Sequence, residues 1–120
     1  MTNLDRGQRG RAGEDLAARF LELEGYVVLE RNARWAEVEV DLVARRGNLL
    51  VLVEVKLRRY GLVSAAQGVR PAQRRRLWRA AQALMARHPW ADEVRLDVLG
   101  LDWKGEGELR LQHLRGALAP

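Results

Sequence analysis

Four charged residues interrupt an apolar stretch of the sequence that otherwise has the pattern of a buried β-hairpin. In VEVDLVARRGNLLVLVEVK, residues 38–56, they are Glu39, Asp41, Glu54 and Lys56. Burial of an unpaired charge costs several kcal/mol, which is comparable to the net stability of a small domain. Their position among valines and leucines therefore indicates either a chemical function or a compensating set of ion pairs.

The turn of this hairpin decides which charges face one another. With a two-residue turn at 47–48, a Gly-Asn pair, Asp41 lies opposite Glu54. Lys56 then lies opposite Glu39. Residues directly opposite share one face of the sheet, with Cβ atoms about 4.5–5.5 Å apart. If the turn lies one residue earlier, Asp41 and Glu54 become diagonal neighbours on that same face, so both registers bring the two carboxylates together.

The pair Asp41 and Glu54 is a candidate metal site. Adjacent carboxylates repel each other, and a divalent cation removes that repulsion. Carboxylate oxygens are natural ligands of Mg²⁺ and Mn²⁺. The alternative is structural: Glu39 forms an ion pair with Lys56, and Asp41 is hydrated near the end of the sheet. The hairpin alone leaves both interpretations open.

Lys56 is conspicuous because almost every basic residue of the chain is arginine. Of the 21 basic residues, Lys56 and Lys104 are the two lysines. Arginine is the better partner in a buried ion pair, whereas lysine provides a compact point charge beside a water molecule or a phosphate. A lysine inside an apolar strand therefore favours chemistry over a structural ion pair.

The composition restricts the class of protein. With 120 residues, 48% hydrophobic and 31% charged, the chain is expected to form one globular domain over residues 1–120. Absence of cysteine excludes disulfides and thiolate zinc sites and indicates a reducing, cytoplasmic location. No segment approaches 18 apolar residues, so neither a signal peptide nor a membrane span is expected. The formal net charge of +5 favours an anionic partner, with nucleic acid the first candidate.

The elements that must position these charges follow from hydrophobic periodicity. Residues 12–24 are predicted as a helix that buries a stripe of residues 12, 16, 20 and 23 and ends at Gly25. A strand over 26–35 precedes the hairpin. A second helix runs from Pro71 to about Arg87 and turns Leu77, Ala81 and Leu84 inward. Two late strands at 93–103 and 107–114 complete the order αβββαββ, an α/β domain with a mixed sheet.

The ordered motifs resemble a known family. Asp41 followed by Glu54-Val55-Lys56 resembles the PD-(D/E)xK signature of nucleases. The segments GEDLAARFLELEGYVVLERNAR (13–34), VEVDLVA (38–44), LVEVKLR (52–58), VRPAQRRRLWRAA (69–81) and RLDVLGL (95–101) resemble those of the bacterial YraN family. That family belongs to the restriction-endonuclease-like superfamily. The resemblance therefore implies an αβββαβ core with a mixed central sheet flanked by helices.

Metal-dependent hydrolysis of phosphodiester bonds in DNA is the activity that the resemblance implies. The implied catalytic residues are Glu14, Asp41, Glu54 and Lys56. Asp41, Glu54 and the Val55 carbonyl are the implied ligands of Mg²⁺ or Mn²⁺, assisted by Glu14 from the first helix. The motif order is also similar to that of Holliday-junction resolvases, which implies branched or structured DNA as the substrate and a homodimer as one candidate assembly.

Basic residues adjoin these motifs and are candidates for phosphate contacts. Arginines at positions 70, 74, 75, 76 and 79 form a dense strip on the second helix, and Arg58 follows the lysine strand. The candidate nucleic-acid-binding residues are Arg58, Arg70, Gln73, Arg74, Arg75 and Arg79. No base-reading motif is recognised, so recognition of DNA shape is expected. The alternative for the strip is a solvated helix face.

Two positions depart from the family pattern. Val38 stands where the family commonly has glycine, and Gln73 stands where it commonly has lysine. A glutamine still hydrogen-bonds a phosphate or a water molecule, but a charge directed at the site is lost. The alternative function is therefore a nucleic-acid-binding module that retains the nuclease fold with little or no catalysis. A third reading is a non-enzymatic adaptor with a network of salt bridges.

Overall fold

The protein is described by a computed structural model at residues 6–35, 38–59, 69–103 and 107–118. Within these ranges, two helices flank one five-stranded sheet. The elements are α1 (Arg6–Leu23), β1 (Val27–Trp35), β2 (Val38–Arg46), β3 (Leu49–Arg59), α2 (Pro71–Arg87), β4 (Glu93–Trp103) and β5 (Leu109–Leu114). Neither helix is long and apolar enough to span a membrane in the part of the chain that is described.

The strands lie in the order β1-β2-β3-β4-β5, and the sheet is mixed. β3 and β4 are parallel, whereas the other three neighbouring pairs are antiparallel. Parallel neighbours need a crossover from one end of the sheet to the other, and α2 lies in that connection. The expected αβββαβ core, with a mixed central sheet flanked by helices, is therefore confirmed.

The turn of the central hairpin lies at Gly47 and Asn48, because Arg46 pairs with Leu49. Gly47 has a φ of 59°, a left-handed conformation that is common in two-residue hairpin turns and that glycine adopts without a steric penalty. The register with the turn one residue earlier is therefore excluded.

Two separate cores form on the two faces of the sheet. The face under α2 buries Leu50, Leu52, Leu96 and Val98 against the buried residues of that helix: Leu77, Ala80, Ala81 and Leu84. The face under α1 buries Val51, Val53, Leu99 and Leu101. Each fully buried leucine or valine contributes on the order of 1.5–3 kcal/mol. Strands covered on both faces have almost continuous hydrophobic runs, which explains the apolar sequences of β3 and β4.

The buried face of α1 differs from the predicted stripe. Leu16 is 40% exposed and Leu23 is 80% exposed. The helix instead buries Ala17, Ala18 and Leu21 against the sheet, with Phe20 partly buried beside them. A Cβ atom at Gly13 would lie 3.2 Å from Cδ1 of Leu101, so α1 approaches the sheet most closely at this glycine. Glu14, next to this glycine, is half-buried as a result.

The end of α1 agrees with the prediction. Gly25 has a φ of 92°, and its N–H donates to the carbonyl of Glu22. The N–H of Tyr26 donates to the carbonyl of Leu21. This pair of hydrogen bonds is a Schellman motif, which requires the left-handed residue that glycine provides.

Strand β2 changes the direction of its side chains at Asp41. Val38 and Val40 belong to the core under α2, whereas Leu42 and Ala44 belong to the core under α1. In a regular strand, residues two apart share a face. The alternation is therefore shifted by one residue at Asp41, at the position next to the end of the β2–β3 ladder.

Candidate active site

A cleft of about 610 Å³ lies between the sheet and the first turns of α2. Its walls differ in charge. The sheet contributes three carboxylates, and the start of α2 contributes two guanidinium groups. The lining residues are Val38, Glu39, Asp41, Glu54, Arg70, Ala72, Gln73 and Arg76. A cleft with opposed acidic and basic walls suits an anionic substrate that is bridged to the acidic wall by a cation.

Asp41 is held by the backbone of the neighbouring strand. The ladder between β2 and β3 ends with Leu42 opposite Val53, and the Val55 N–H then donates to Oδ2 of Asp41 at 2.8 Å. Burial raises the pKa of Asp41 to about 6; the Val55 hydrogen bond counters the effect, and the negative charge of Glu14 adds to it. The side chain is thus fixed in place but costly to ionise.

Glu54 is the most enclosed carboxylate of the cleft, with 8% of the residue exposed. Its Oε1 accepts a hydrogen bond from Nε2 of Gln73 at 3.2 Å and lies 3.5 Å from Nζ of Lys56. Its Oε2 is buried and has no hydrogen-bond partner in the described part of the chain. Burial, followed by repulsion from Asp41, raises the pKa of Glu54 to about 7. The predicted meeting of Asp41 and Glu54 in one site is therefore confirmed, although their positions lie just beyond the ladder.

The expectation that Lys56 lies opposite Glu39 is wrong, and so is the structural alternative in which these two residues form an ion pair. Lys56 forms its ion pair with Glu54, two residues earlier on the same face of β3. Glu39 instead lies 3.7 Å from the guanidinium of Arg34 on β1. The reason is the end of the β2–β3 ladder at Leu42, beyond which the two strands no longer oppose residue against residue. The Lys56 side chain is only 16% exposed, so it is directed into the site rather than into solvent.

Glu14 reaches the same region from α1. Its negative charge contributes to the raised pKa of Asp41, but Glu14 itself is not among the described residues that line the cleft. The side-chain nitrogen of Asn32 on β1 lies 3.2 and 3.3 Å from the two carboxylate oxygens of Glu14. Asn32 was not predicted as a site residue, because an asparagine among the charged residues of an edge strand has no distinguishing spacing.

The remaining predicted residues differ in whether they line the cleft. Arg70 and Gln73, two of the candidate nucleic-acid-binding residues, line it. Arg58, beyond Lys56 on β3, donates to the Leu57 carbonyl at 3.3 Å. Arg74 is half-buried on α2. The residues Arg75 and Arg79 are exposed and lie outside the described set that lines the cleft.

Arg76 also lines the cleft; it belongs to the predicted arginine strip but was not singled out as a nucleic-acid-binding residue. It follows Gln73 by three positions, and residues three apart lie on one face of a helix. This spacing was a usable signal. The Val55 carbonyl was predicted as a metal ligand, and that role stays a prediction; the observed contribution of Val55 is its N–H.

The donor set of the cleft fits a divalent cation of the Mg²⁺ or Mn²⁺ type. No group of three or more acidic, histidine or cysteine side chains suited to a metal occurs among the described residues. Mg²⁺ is commonly held by one or two carboxylates, with water and substrate phosphates as the other ligands. Asp41 and Glu54 meet this requirement, and the buried Oε2 of Glu54 is an unused oxygen that a cation would satisfy.

A second buried carboxylate, outside the cleft, has an arrangement that differs from that of Glu54 and is structural. Asp97 on β4 is fully buried and accepts hydrogen bonds from Arg95 at 2.7 and 2.8 Å and from the Gly116 N–H at 2.8 Å. Nε2 of His113 lies 2.7 Å from it. Burial alone would raise the pKa of Asp97, but the hydrogen bonds from His113 and Arg95 outweigh burial and lower it. At Asp97 the hydrogen-bond partners outweigh burial, whereas at Glu54 the contacts with Lys56 and Gln73 only partly offset burial and repulsion from Asp41.

Comparisons with known proteins place the chain among bacterial relatives. It matches the model of the family described as "Uncharacterised protein family UPF0102" over residues 13–101. A UPF0102 protein of Frankia casuarinae is 46% identical and covers 90% of this chain and 93% of its own length. A UPF0102 protein of Streptomyces griseus is 43% identical, with 92% and 96% covered. The matched range contains every predicted site residue, and the expected resemblance to the YraN family is confirmed.

Among solved structures, SfsA of Pyrococcus furiosus in complex with Ca²⁺ has a TM-score of 0.48 and 18% sequence identity to the chain. The match covers 93% of this chain and 64% of that chain. The chain therefore spans less than two thirds of SfsA. The chemistry of the cleft has to be inferred from its own side chains.

Proposed function

The chain belongs to the UPF0102 family, and we propose that its cleft hydrolyses phosphodiester bonds in DNA in the presence of Mg²⁺ or Mn²⁺. The observation that carries this proposal is the pair of enclosed carboxylates, Asp41 and Glu54, whose pKa values are raised to about 6 and about 7. A lysine lies 3.5 Å from one of them. Strongly shifted carboxylates beside a basic residue in a cleft are typical of functional sites.

The carboxylates would hold the cation. When bound, a divalent ion lowers the pKa of a water molecule and polarises a phosphoryl oxygen. Asp41 is kept in position by the Val55 N–H and Glu54 by Gln73. Because both carboxylates are enclosed and repel each other, the site favours a positive ion between them. Glu14 adds negative charge from α1.

Lys56 is proposed to act on the attacking water or on the phosphate. Its ammonium lies beside Oε1 of Glu54, so it is held next to the proposed ligand of the cation. A compact point charge in an enclosed site stabilises the negative charge that develops on the phosphoryl oxygens. Its contact with Glu54 also counters the rise in the pKa of that carboxylate.

The basic wall of the cleft supports a phosphate backbone as the substrate group. Arg70 and Arg76 line the cleft opposite the carboxylates, with Gln73 between them on the same helix. Such contacts position a nucleic acid but read no bases. Together with the similarity in motif order to Holliday-junction resolvases, this favours branched or otherwise structured DNA over a defined sequence.

The alternative function is a nucleic-acid-binding module with little catalysis. Gln73 favours it, because this residue occupies the position where the family commonly has lysine. Its amide satisfies Glu54 with a neutral hydrogen bond. The cleft therefore lacks one positive charge that would otherwise act near the scissile phosphate.

A cleavage panel distinguishes the two functions. Duplex, flap, four-way junction and single-stranded DNA, each end-labelled, are incubated with the protein in Mg²⁺, in Mn²⁺ and in EDTA. The proposal predicts cleavage of at least one substrate with a metal ion and none in EDTA. Binding of these DNAs without cleavage under any condition supports the binding module, and cleavage that persists in EDTA contradicts the metal-dependent mechanism.

A further inference from the structure

Asn32 has an unusual backbone conformation for a residue in a strand. Its φ is 52°, and it is the one non-glycine residue of the described chain with a positive φ. This left-handed region is disfavoured for side chains with a Cβ, and asparagine is one of the few residue types that tolerate it. A left-handed residue within β1 therefore points to a specific requirement for the position of its side chain.

The Asn32 side chain lies among carboxylates from two other elements. Its amide nitrogen is 2.9 Å from Oε1 of Glu39 on β2 and 3.2 and 3.3 Å from the oxygens of Glu14 on α1. The nitrogen is assigned to this side of the amide, because the opposite orientation would direct the carbonyl oxygen at acceptors only. The two amide hydrogens thus suffice for one bond to each carboxylate.

We infer that Asn32 is a positioning residue that ties Glu14 to Glu39 and so holds Glu14 beside Asp41 for the cation. This inference rests on the proposed function. Glu39 is the end of the link on the sheet, two residues before Asp41 on β2. Glu14 is the end that is oriented, because α1 reaches the site with this one acidic side chain.

The neutrality of the amide is central to this role. A lysine or arginine at the same place would hold the two carboxylates equally well but would cancel part of their charge. Asn32 donates hydrogen bonds without adding a positive charge of its own to the region around Glu14 and Glu39. In the β1–β2 ladder Arg31 pairs with Leu42 and Ala33 with Val40, which places Asn32 level with Asp41 on the neighbouring strand. The arrangement is thus suited to a site completed by a positive ion.

The test uses Mn²⁺ affinity, measured by titration calorimetry on the purified protein at pH 8. Asn32→Gly removes the amide and keeps a residue that adopts the left-handed backbone freely. Loss of an outer-shell partner of a metal site typically weakens metal binding about 10- to 100-fold, and we expect a loss of about tenfold for Asn32→Gly. Asn48→Gly is the matched control, since Asn48 donates to the Asp92 carboxylate at 3.0 Å in a turn away from the cleft.

A double variant separates positioning from a general structural effect. If Asn32 acts through Glu14, the Asn32→Gly/Glu14→Gln protein binds Mn²⁺ no more weakly than Glu14→Gln alone, within about twofold. Independent, multiplying losses in the double variant would overturn the inference, as would an Asn32→Gly protein with the affinity of the wild type. Failure of the wild type itself to bind Mn²⁺ would instead reject the proposed function, and the inference with it.

A measurement on the wild-type protein tests the inference even if the variants do not fold. Mn²⁺ broadens NMR signals close to its binding site. In a titration at low Mn²⁺ concentration, the side-chain amide signals of Asn32 are expected to broaden before those of Asn48. Equal broadening of the two amides would contradict a role for Asn32 at the cation site.

Discussion

Gln73 at the start of α2 donates a hydrogen bond to Oε1 of Glu54 on β3 at 3.2 Å. This contact connects the basic wall of the cleft to its acidic wall. Lys56 approaches the same oxygen, at 3.5 Å, so Oε1 is shared by two donors while Oε2 is left without a partner among the described residues. The position of Gln73 therefore offers a direct way to change the charge of the site.

The substitution Gln73→Lys is expected to stabilise the metal-free protein and to increase cleavage. A positive charge beside Glu54 opposes the rise in the pKa of that carboxylate. We expect a gain of roughly 1 kcal/mol at pH 8, or about 4 °C in melting temperature. Gln82→Lys, at an exposed position of the same helix, is the control. Equal behaviour of the two variants in melting and cleavage would show that position 73 does not act on the site.

The metal-free protein is expected to lose stability as the pH rises from about 4.5 to about 7.5. The ordinary pKa values of Asp41 and Glu54 are 3.8 and 4.5, and the fold raises them to about 6 and about 7. Over this interval the folded state binds more protons than the unfolded state, so the free energy of unfolding falls with rising pH. With partial screening by solvent, the loss is on the order of 2 kcal/mol.

Urea unfolding at several pH values measures this effect. The control is the double variant Asp41→Asn/Glu54→Gln, which keeps the other titrating groups and should lose distinctly less stability over the same interval. The lowered pKa of Asp97 acts with the opposite sign and only at more acidic pH, so it does not interfere. If the free energy of unfolding changes with pH in the same way for the wild type and the double variant, the fold does not raise the pKa values of the two carboxylates.

Local patterns predicted the parts of the fold that depend on nearby residues. The hairpin turn, the bounds of α2 and the glycine that ends α1 follow from turn residues, a proline and a helix cap. The meeting of Asp41, Glu54 and Lys56 follows from strand geometry on either side of that turn. These features involve few residues, and each has a physical reason that can be recognised in the chain itself.

Features that depend on packing between elements were not predictable. The spacing of apolar residues predicted a stripe of residues 12, 16, 20 and 23 on α1, but the face that packs on the sheet carries Gly13, Ala17 and Leu21. The shift in alternation at Asp41 could not be recognised in the sequence. For that reason Lys56 was expected opposite Glu39, whereas it forms its ion pair with Glu54. Asn32 was not predicted as a site residue, because the role inferred for it depends on a left-handed φ rather than on its residue type or spacing.

The cleft arginines are expected to contribute more to DNA binding than exposed arginines elsewhere. Arg70→Gln/Arg76→Gln removes both guanidinium groups that line the cleft. Each lost phosphate contact reduces the slope of log affinity against log salt by about 0.9, so the slope should flatten by about 2. Fluorescence anisotropy at several salt concentrations measures it. The control is Arg19→Gln/Arg87→Gln, and a similar change in slope there would assign the effect to net charge.

The substitution Lys56→Arg distinguishes a catalytic role of Lys56 from a role as an ion-pair partner of Glu54. The variant keeps the positive charge beside Glu54 but replaces a point charge by a larger, planar group. Displacement of a catalytic group by about 1 Å can reduce the rate on the order of a hundredfold. We therefore expect folding and Mn²⁺ binding to persist while cleavage falls by about that factor. Wild-type cleavage by this variant would reduce Lys56 to an ion-pair partner.

The most direct test of the central claim is the Mn²⁺-dependent rate at which wild type and Asp41→Asn cleave one DNA junction. Asn is nearly isosteric with Asp and lacks the charge that would hold the cation. We expect a measurable rate for the wild type and a loss of at least about a hundredfold for Asp41→Asn. Asp92→Asn, an exposed control just before β4, should cleave like the wild type. Equal rates for wild type and Asp41→Asn, or no cleavage by either, would contradict the assignment of this cleft as a nuclease site.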